Sequence, residues 1–391
     1  TISIDKQNLD AFEKLGFAYL ESKKYEEARN IFHKLLKKDL PNQFRARVLV
    51  NLSTIEIRIN DDDFYADYSL PFEYAKEALD LDPNSFGGLS NIGICYLMMS
   101  DFNNSVLNLK KALDLIPDSF AALKNLGTTY NHIGAFDKAE IMFKKLKKTY
   151  PEYYKMDFSL CTALLSQSKF SEGWKLYEYR WYEKHGAPFD KRFPAFTKQR
   201  WKPELGYKRI LIWGEQGLGD QILHGTILND FTKQFKEAYL AIDPRLVDFF
   251  QSYFPNIKVF SLFDDIKQDL FDYHIPLCSM AYYMRNSLND FLPLKVPYLK
   301  KKEKLNDANT KTKKLRCAIT WKSVKGSKSD YKSMELKSLR KILQIPEIDF
   351  YNIQYTNEDE EVLEFKEKYG ITIHSPDGID TKNDINGLVN F

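Results

Sequence analysis

Apolar positions in the first half of the chain recur with a period of 34. Phe86, Leu89, Ile92, Gly93, Tyr96, Leu109, Ala112 and Pro117 return as Phe120, Leu123, Leu126, Gly127, Tyr130, Phe143, Leu146 and Pro151. An earlier unit reads Leu15-Gly16, Tyr19, Ala28 and Phe32, with Pro41 one place late. Another runs from Asn51-Leu52-Ser53 to Ala78 and Pro83, with six extra residues assigned to the polar turn Asn60–Asp63. A fifth covers about Tyr154 to Arg180. Each unit predicts two short antiparallel helices that cannot bury their apolar faces alone, so successive pairs must stack. A small residue lets the two helices of a unit approach closely, and Pro stops the second.

From Arg209 the period changes. Short apolar runs alternate with amphipathic stretches, which predicts a parallel α/β arrangement. The expected strands are Arg209–Trp213, Tyr239–Asp243, Ile257–Phe260 and Phe271–Ile275, then Cys317–Trp321, Phe350–Gln354 and Ile371–His374. Lys300 to Arg316 is polar and Lys-rich; the run Lys300-Lys301-Lys302 reads as a solvated linker.

The 34-residue unit, with a small residue at its eighth place and Pro near its thirty-second, resembles the tetratricopeptide repeat. That resemblance implies a curved array with a concave binding face. Asn51, Asn91 and Asn125 stand at one place in three successive units, just before the Leu/Ile-small pair. Either this row of amides holds the backbone of an extended peptide, or each amide bonds only neighbouring turns and water. The first and fifth units carry Lys14 and Ser159 there. The array closes on Phe170–Trp181, where Trp174, Tyr177 and Trp181 share a helical face; a packed capping helix is the expectation, a sugar-stacking platform the alternative. Around Pro188, Phe193-Pro194 and Trp201-Lys202-Pro203 the chain reads as an irregular connection.

With 57 basic and 54 acidic residues among 391, the formal charge is +3. That balance disfavours nucleic acid as the main partner. No run of apolar residues is long enough to span a bilayer. Cys95, Cys161, Cys278 and Cys317 are far apart, without a CxxC pair, which excludes a zinc ribbon or a disulfide framework and fits a reducing, cytoplasmic setting. No carboxylate/histidine set has metal-ligand spacing.

The sharpest motif is Gly214-Glu215-Gln216-Gly217-Leu218-Gly219-Asp220, between a strand and a helix expected to carry Leu223, Ile227, Phe231 and Phe235 on one face. Glycines there permit tight turns and close backbone approach, and helix-start N–H groups favour negative charge. It lacks the Lys-Ser/Thr of a Walker loop, and Ile222 replaces the third glycine of the dinucleotide fingerprint. Asp220 by itself is equally readable as a helix cap.

This loop resembles that of bacterial repeat-linked glycosyltransferases, which are similar to the lipopolysaccharide heptosyltransferases. Further motifs in register are Gly173-Trp-x-x-Tyr-Glu-x-Arg-Trp181, Trp201-x-Pro203, Asp272–Met280, Pro297-Tyr298-Leu299, a strand ending in Trp321, and Lys332-Ser333, where relatives carry Arg. The resemblance implies an α plus α/β chain: a repeat solenoid with capping helix at 1–182, a connection at 183–205, then a GT-B-like pair of Rossmann-like domains. These are an acceptor-side domain at 206–299, a linker at 300–314 and an incomplete donor-side domain at 315–391.

It also implies metal-independent sugar transfer from a nucleotide-diphosphate donor to a protein or glycan acceptor. Asp220 would be the general base. Gly217, Gly219, Lys322, Ser323 and Lys332 would bind the donor diphosphate, and Gln216 and His224 would line the cleft. No resident cofactor is implied. The two lysines are equally readable as solvated loop charges, and His274 reads as structural. From Lys313 only 79 residues remain and the family's Asp-Thr…His donor segment is missing. The expectation is therefore a truncated, nearly inactive piece of an enzyme. The alternative is a repeat scaffold with a relic transferase half.

Overall fold

The computed structural model describes residues 9–60, 66–153, 157–181, 196–291, 314–323, 333–356 and 358–391. The chain divides into two compact units, Thr1–Ala187 and Pro188–Phe391.

The first unit contains ten helices among its described residues. The first helices of the five repeats are α1 (Leu9–Glu21), α3 (Asn42–Asn60), α5 (Phe86–Met98), α7 (Phe120–His132) and α9 (Asp157–Ser166). Their partners are α2 (Tyr25–Leu36), α4 (Ser69–Leu81), α6 (Phe102–Leu115), α8 (Phe136–Thr149) and α10 (Phe170–Tyr177). The small-residue position works by proximity. A β-carbon on Gly16 would stand 2.7 Å from the Phe32 ring, on Gly93 2.7 Å from Leu109, and on Gly127 2.9 Å from Phe143. Helix crossings that close require glycine and bring the large partner side chain into full burial. In the second repeat Ser53 takes the place and donates its hydroxyl to the Pro71 carbonyl at 2.8 Å. Ser85, Asp101 and Ser119 cap α5, α6 and α7 with side-chain oxygens.

One conformation recurs where the first helix turns into the second. Lys23, Ser100, Gly134 and Ser168 all have left-handed backbones, with φ of 59°, 66°, 74° and 59°. Only one of the four is glycine. The extra residues of the second repeat were assigned to Asn60–Asp63; helix α3 runs through Asn60, and 61–63 lie outside the described residues.

The capping helix differs from its expected form. Helix α10 stops at Tyr177 and tightens to a 3₁₀ turn over Glu178–Trp181, so the three aromatics do not share one α-helical face. Instead the buried Arg180 guanidinium lies 4.1 Å from the Tyr177 ring and 4.4 Å from the Trp181 ring, a packed cation–π stack.

In the second unit, strands β1 (Arg209–Trp213), β2 (Glu237–Ile242), β3 (Lys258–Ser261) and β4 (Tyr273–Pro276) form an all-parallel sheet of order β3-β2-β1-β4. Helices α11 (Leu218–Gly225), α12 (Leu228–Thr232), α13 (Val247–Tyr253) and α14 (Met280–Met284) belong to it. The helix expected to run on from the glycine loop breaks at Thr226: Leu223 is exposed, while Ile227, Phe231 and Phe235 are buried. Residues 196–205 are not merely irregular. Trp201 N–H donates to the His274 carbonyl, and His274 N–H to Gln199, so the segment adds to the β4 edge. Trp201 itself is buried, edge-on to Phe231, Phe235 and Tyr283.

A second parallel pair, β5 (Leu315–Ile319) and β6 (Ile348–Asn352), follows. The expected third strand is reduced to one bridge, Tyr351 to His374. Helices α15 (Arg340–Leu343), α16 (Asp359–Tyr369) and α17 (Ile385–Asn390) complete the described elements. No described helix is long and apolar enough to cross a membrane.

Candidate functional sites

The repeat unit holds a cavity of about 420 Å³ lined by Glu13, Lys14, Phe17, Arg47, Val50, Asn51, Ser85 and Gly87. These come from the first helices of repeats one to three and the cap of α5. Arg47 forks onto Glu13 across helices at 3.0 and 2.9 Å, and this pairing raises the guanidinium pKa. Phe17 is 52% exposed. A β-carbon on Gly87 would stand 2.5 Å from the Val50 side chain, so any larger residue there must displace it.

The three asparagines of the row do different work. Asn51 lines the cavity. Asn91 is buried and donates to the Val50 carbonyl at 3.1 Å and the Thr54 hydroxyl at 2.9 Å, tying α5 to α3. Asn125 donates to the Ala121 carbonyl of its own helix at 2.9 Å. Sequence equivalence did not carry equivalent exposure.

The α/β unit holds a larger cleft, about 710 Å³. Its lining begins with the glycine loop (Gly214 to Gly219) and Gln221. It continues through Asp243 and Arg245 after β2, Leu262 and Phe263 after β3, Tyr355 after β6, and Thr381, Lys382 and Ile385. The cleft therefore sits at the carboxyl ends of β1, β2, β3 and β6, where open parallel sheets place ligands.

The loop is built differently from the sequence expectation. None of its glycines has positive φ; Gly217 is extended at φ −62°, ψ 168°. Gly214 is needed for space, since the buried Gln221 side chain packs on it. Gln221 donates to the Gln216 carbonyl at 2.7 Å and accepts from Asp243 N–H at 3.0 Å, pinning the loop to β2. Around Gly219 nothing lies within 4 Å of a β-carbon position, and at Gly217 only the Asp220 carboxylate does, at 3.6 Å. Those two glycines leave bare backbone facing open space.

Gln216, Gly217 and Gly219 line the cleft. Asp220 is exposed on the first turn of α11, between the lining residues Gly219 and Gln221 but not itself in the lining. His224, half-buried one turn on, is likewise absent from it. Lys322 does not line the cleft: its ammonium pairs with Glu358 and Glu361, and those hydrogen bonds raise its pKa. Trp321 donates to the same Glu361 at 2.9 Å. The Ser323 N–H donates to the Ser333 hydroxyl at 2.9 Å; Lys332 lies outside the described residues.

Arg245, just past the expected strand Tyr239–Asp243, was not singled out by sequence. Its Nε and Nη2 fork onto Asp243 at 2.9 Å each. His274 is structural: its Nδ1 accepts from the Trp213 indole at 3.1 Å. Burial, with Arg200 nearby, lowers its pKa to about 4.

The tetratricopeptide repeat family profile matches residues 10–39, so the chain contains tetratricopeptide repeats. Over 263 residues it is 28% identical to Protein FlbA of Caulobacter vibrioides, a match covering 60% of this chain and 42% of that protein. The chain thus spans less than half the length of that curated relative. A thermophilic TPR protein of Thermus thermophilus is 18% identical, with 46% of this chain and 93% of that one covered at a TM-score of 0.35. Pseudomonas aeruginosa pilF is 16% identical, with 57% and 84% covered at a TM-score of 0.39.

Proposed function

We propose that the chain is a protein-interaction scaffold whose first three repeats grip an extended peptide segment of a partner. The observation that carries this reading is the cavity between the first helices of those repeats. There an amide (Asn51), an ammonium (Lys14) and an exposed ring (Phe17) converge on one opening. Such a set supplies a backbone hydrogen bond, a countercharge for an acidic group and an apolar anchor. The test is selection of a displayed peptide library on the full chain, followed by titration of the selected peptides. Asn51→Ala and Phe17→Ala are each expected to weaken binding about tenfold. Peptides that bind both variants as well as the parent chain would refute it.

A second reading is favoured by the α/β cleft: this half transfers sugar from a nucleotide-diphosphate donor. What supports it is a bare-backbone glycine loop opening on a cleft at strand carboxyl ends, joined to the ordered motifs from Gly173 to Ser333. Asp220, exposed beside Gly219, would take the proton of the acceptor hydroxyl as its oxygen attacks the anomeric carbon. The diphosphate leaves with its charge met by cations and N–H donors. Turnover of a panel of nucleotide sugars by the longest natural form of the protein tests this. Asp220→Asn should reduce turnover by at least about a hundredfold; unchanged turnover removes Asp220 from the chemistry.

A further inference from the structure

We infer that the exposed face of helices α6 and α8 docks an acidic segment of a partner protein that also carries aliphatic side chains. This surface is separate from the cavity between the first helices of the repeats. Its two anchors are Leu107, 51% exposed on α6, and Ile141, 59% exposed on α8. They stand 34 residues apart, each two places before the large side chain that meets the glycine of its repeat, Leu109 and Phe143.

The other repeats supply the comparison. The same place holds Asn30, Glu73 and Lys175 in the first, second and fifth repeats, and it is exposed in all five. Packing within the array therefore does not require an aliphatic residue there. One exposed leucine is ordinary for a soluble surface, but two at one place in adjacent repeats make a repeated apolar feature. The turns leading into the same two helices expose Met99 and Ile133, again 34 residues apart. There the first and fifth repeats carry Ser22 and Gln167.

Charge specifies the partner's chemistry. Each anchor is followed one turn later by two lysines, Lys110-Lys111 after Leu107 and Lys144-Lys145 after Ile141, which sets cations beside the apolar side chain. Lys144 pairs with Glu140 and Glu172, and Lys145 with Asp118; ion pairs this open to water contribute little and exchange readily. A partner carboxylate one turn from an aliphatic residue complements both halves of the pattern, and complementary charge selects against basic partners. An anionic membrane fits less well. Asp114 and Asp137 are exposed on the same two stripes, seven places after Leu107 and four before Ile141, and would meet lipid phosphates as like charges.

The experiment is selection of a displayed library of random peptides on the full chain, discarding clones that also bind the Leu107→Asn/Ile141→Asn double variant. Asparagine is what the first repeat carries at this place, so the variant is expected to keep the parent's unfolding midpoint. The surviving peptides should be acidic and contain aliphatic residues. Each single asparagine substitution should weaken them about tenfold, and Lys110→Glu/Lys111→Glu at least as much. Binding should also weaken as salt is raised. Phe17→Ala and Asn51→Ala should leave these peptides unaffected, so failure here and failure of the cavity between the first helices are read separately. An empty selection, neutral or basic survivors, or undiminished binding by the lysine variant overturns the inference. Dimerisation of the chain that the double asparagine variant abolishes would assign the face to a second copy and overturn it. Sedimentation with phosphatidylglycerol vesicles that the same variant abolishes would assign it to lipid and overturn it as well.

Discussion

Gly214 and Gln221 share one space: a β-carbon at Gly214 would stand 2.6 Å from Cδ and Oε1 of the Gln221 amide. That amide bridges the loop after β1 to the end of β2, so the shape of the cleft mouth depends on a residue having no side chain. Gly214→Ala should cost about 1–3 kcal/mol by overpacking. Urea unfolding of Gly214→Ala, Gln221→Ala and the double variant checks it. The alanine at 214 should be markedly less harmful once Gln221 is shortened.

The left-handed turns of the repeats offer an opposite case. Ser100 and Gly134 occupy one position in adjacent repeats with nearly the same φ, 66° and 74°, but only the second is the residue that adopts it without penalty. Ser100→Gly is expected to stabilise the array by about 0.5–1 kcal/mol, and Gly134→Ala to destabilise it by about 1 kcal/mol. Thermal melts that move in the same direction for both would contradict the backbone explanation.

Asn91 and Asn51 should separate stability from binding. Asn91→Ala removes two partly buried hydrogen bonds and is expected to cost about 1–3 kcal/mol. Asn51→Ala should leave the unfolding midpoint within about 0.5 kcal/mol of the parent while weakening peptide capture. Chemical denaturation alongside the peptide titration distinguishes the two.

How legible was this in the sequence? The 34-residue period placed the paired helices, because the glycine and its large partner sixteen residues on lie within one unit: Gly16 with Phe32, Gly127 with Phe143. Five-residue apolar runs placed the strands for a similar reason, since burial on both faces of a parallel sheet is written locally. The site was less legible. Asn91 and Asn51 are alike in sequence, but Asn91 faces Thr54 of another helix and Asn51 faces a cavity. Lys322 is claimed by Glu358 and Glu361, more than thirty residues downstream, and no local pattern announces that pairing. Arg245 and Gln221 gain their roles only when the ends of β1 and β2 come side by side.

Stability of the α/β unit should depend on pH through His274. Well above its ordinary value of about 6.5 the ring is neutral whether the chain is folded or not. Between there and about 4 the unfolded chain takes up a proton that the folded chain refuses. Stability is therefore full near neutrality and declines by about 1.4 kcal/mol per pH unit through that window. Asp272, held at about 2 by hydrogen bonds from Arg209, titrates below it. Urea midpoints followed from pH 7.5 to 4.5 should decline less steeply in His274→Gln; an identical slope would assign the loss to other groups.

The ten residues before Gly206 have a consequence for dividing the molecule. Gln199 and Trp201 are stitched to both backbone faces of His274, and the Trp201 indole donates to the Gly206 carbonyl at 2.9 Å. A cut placed after Gly206, just short of β1, would strip the selvedge from β4 and empty an indole-sized hollow beside Phe231. The freed strand would then be a template for its own copies. Any separated sheet half must keep its lead-in from Thr197 onward to keep the β4 edge covered.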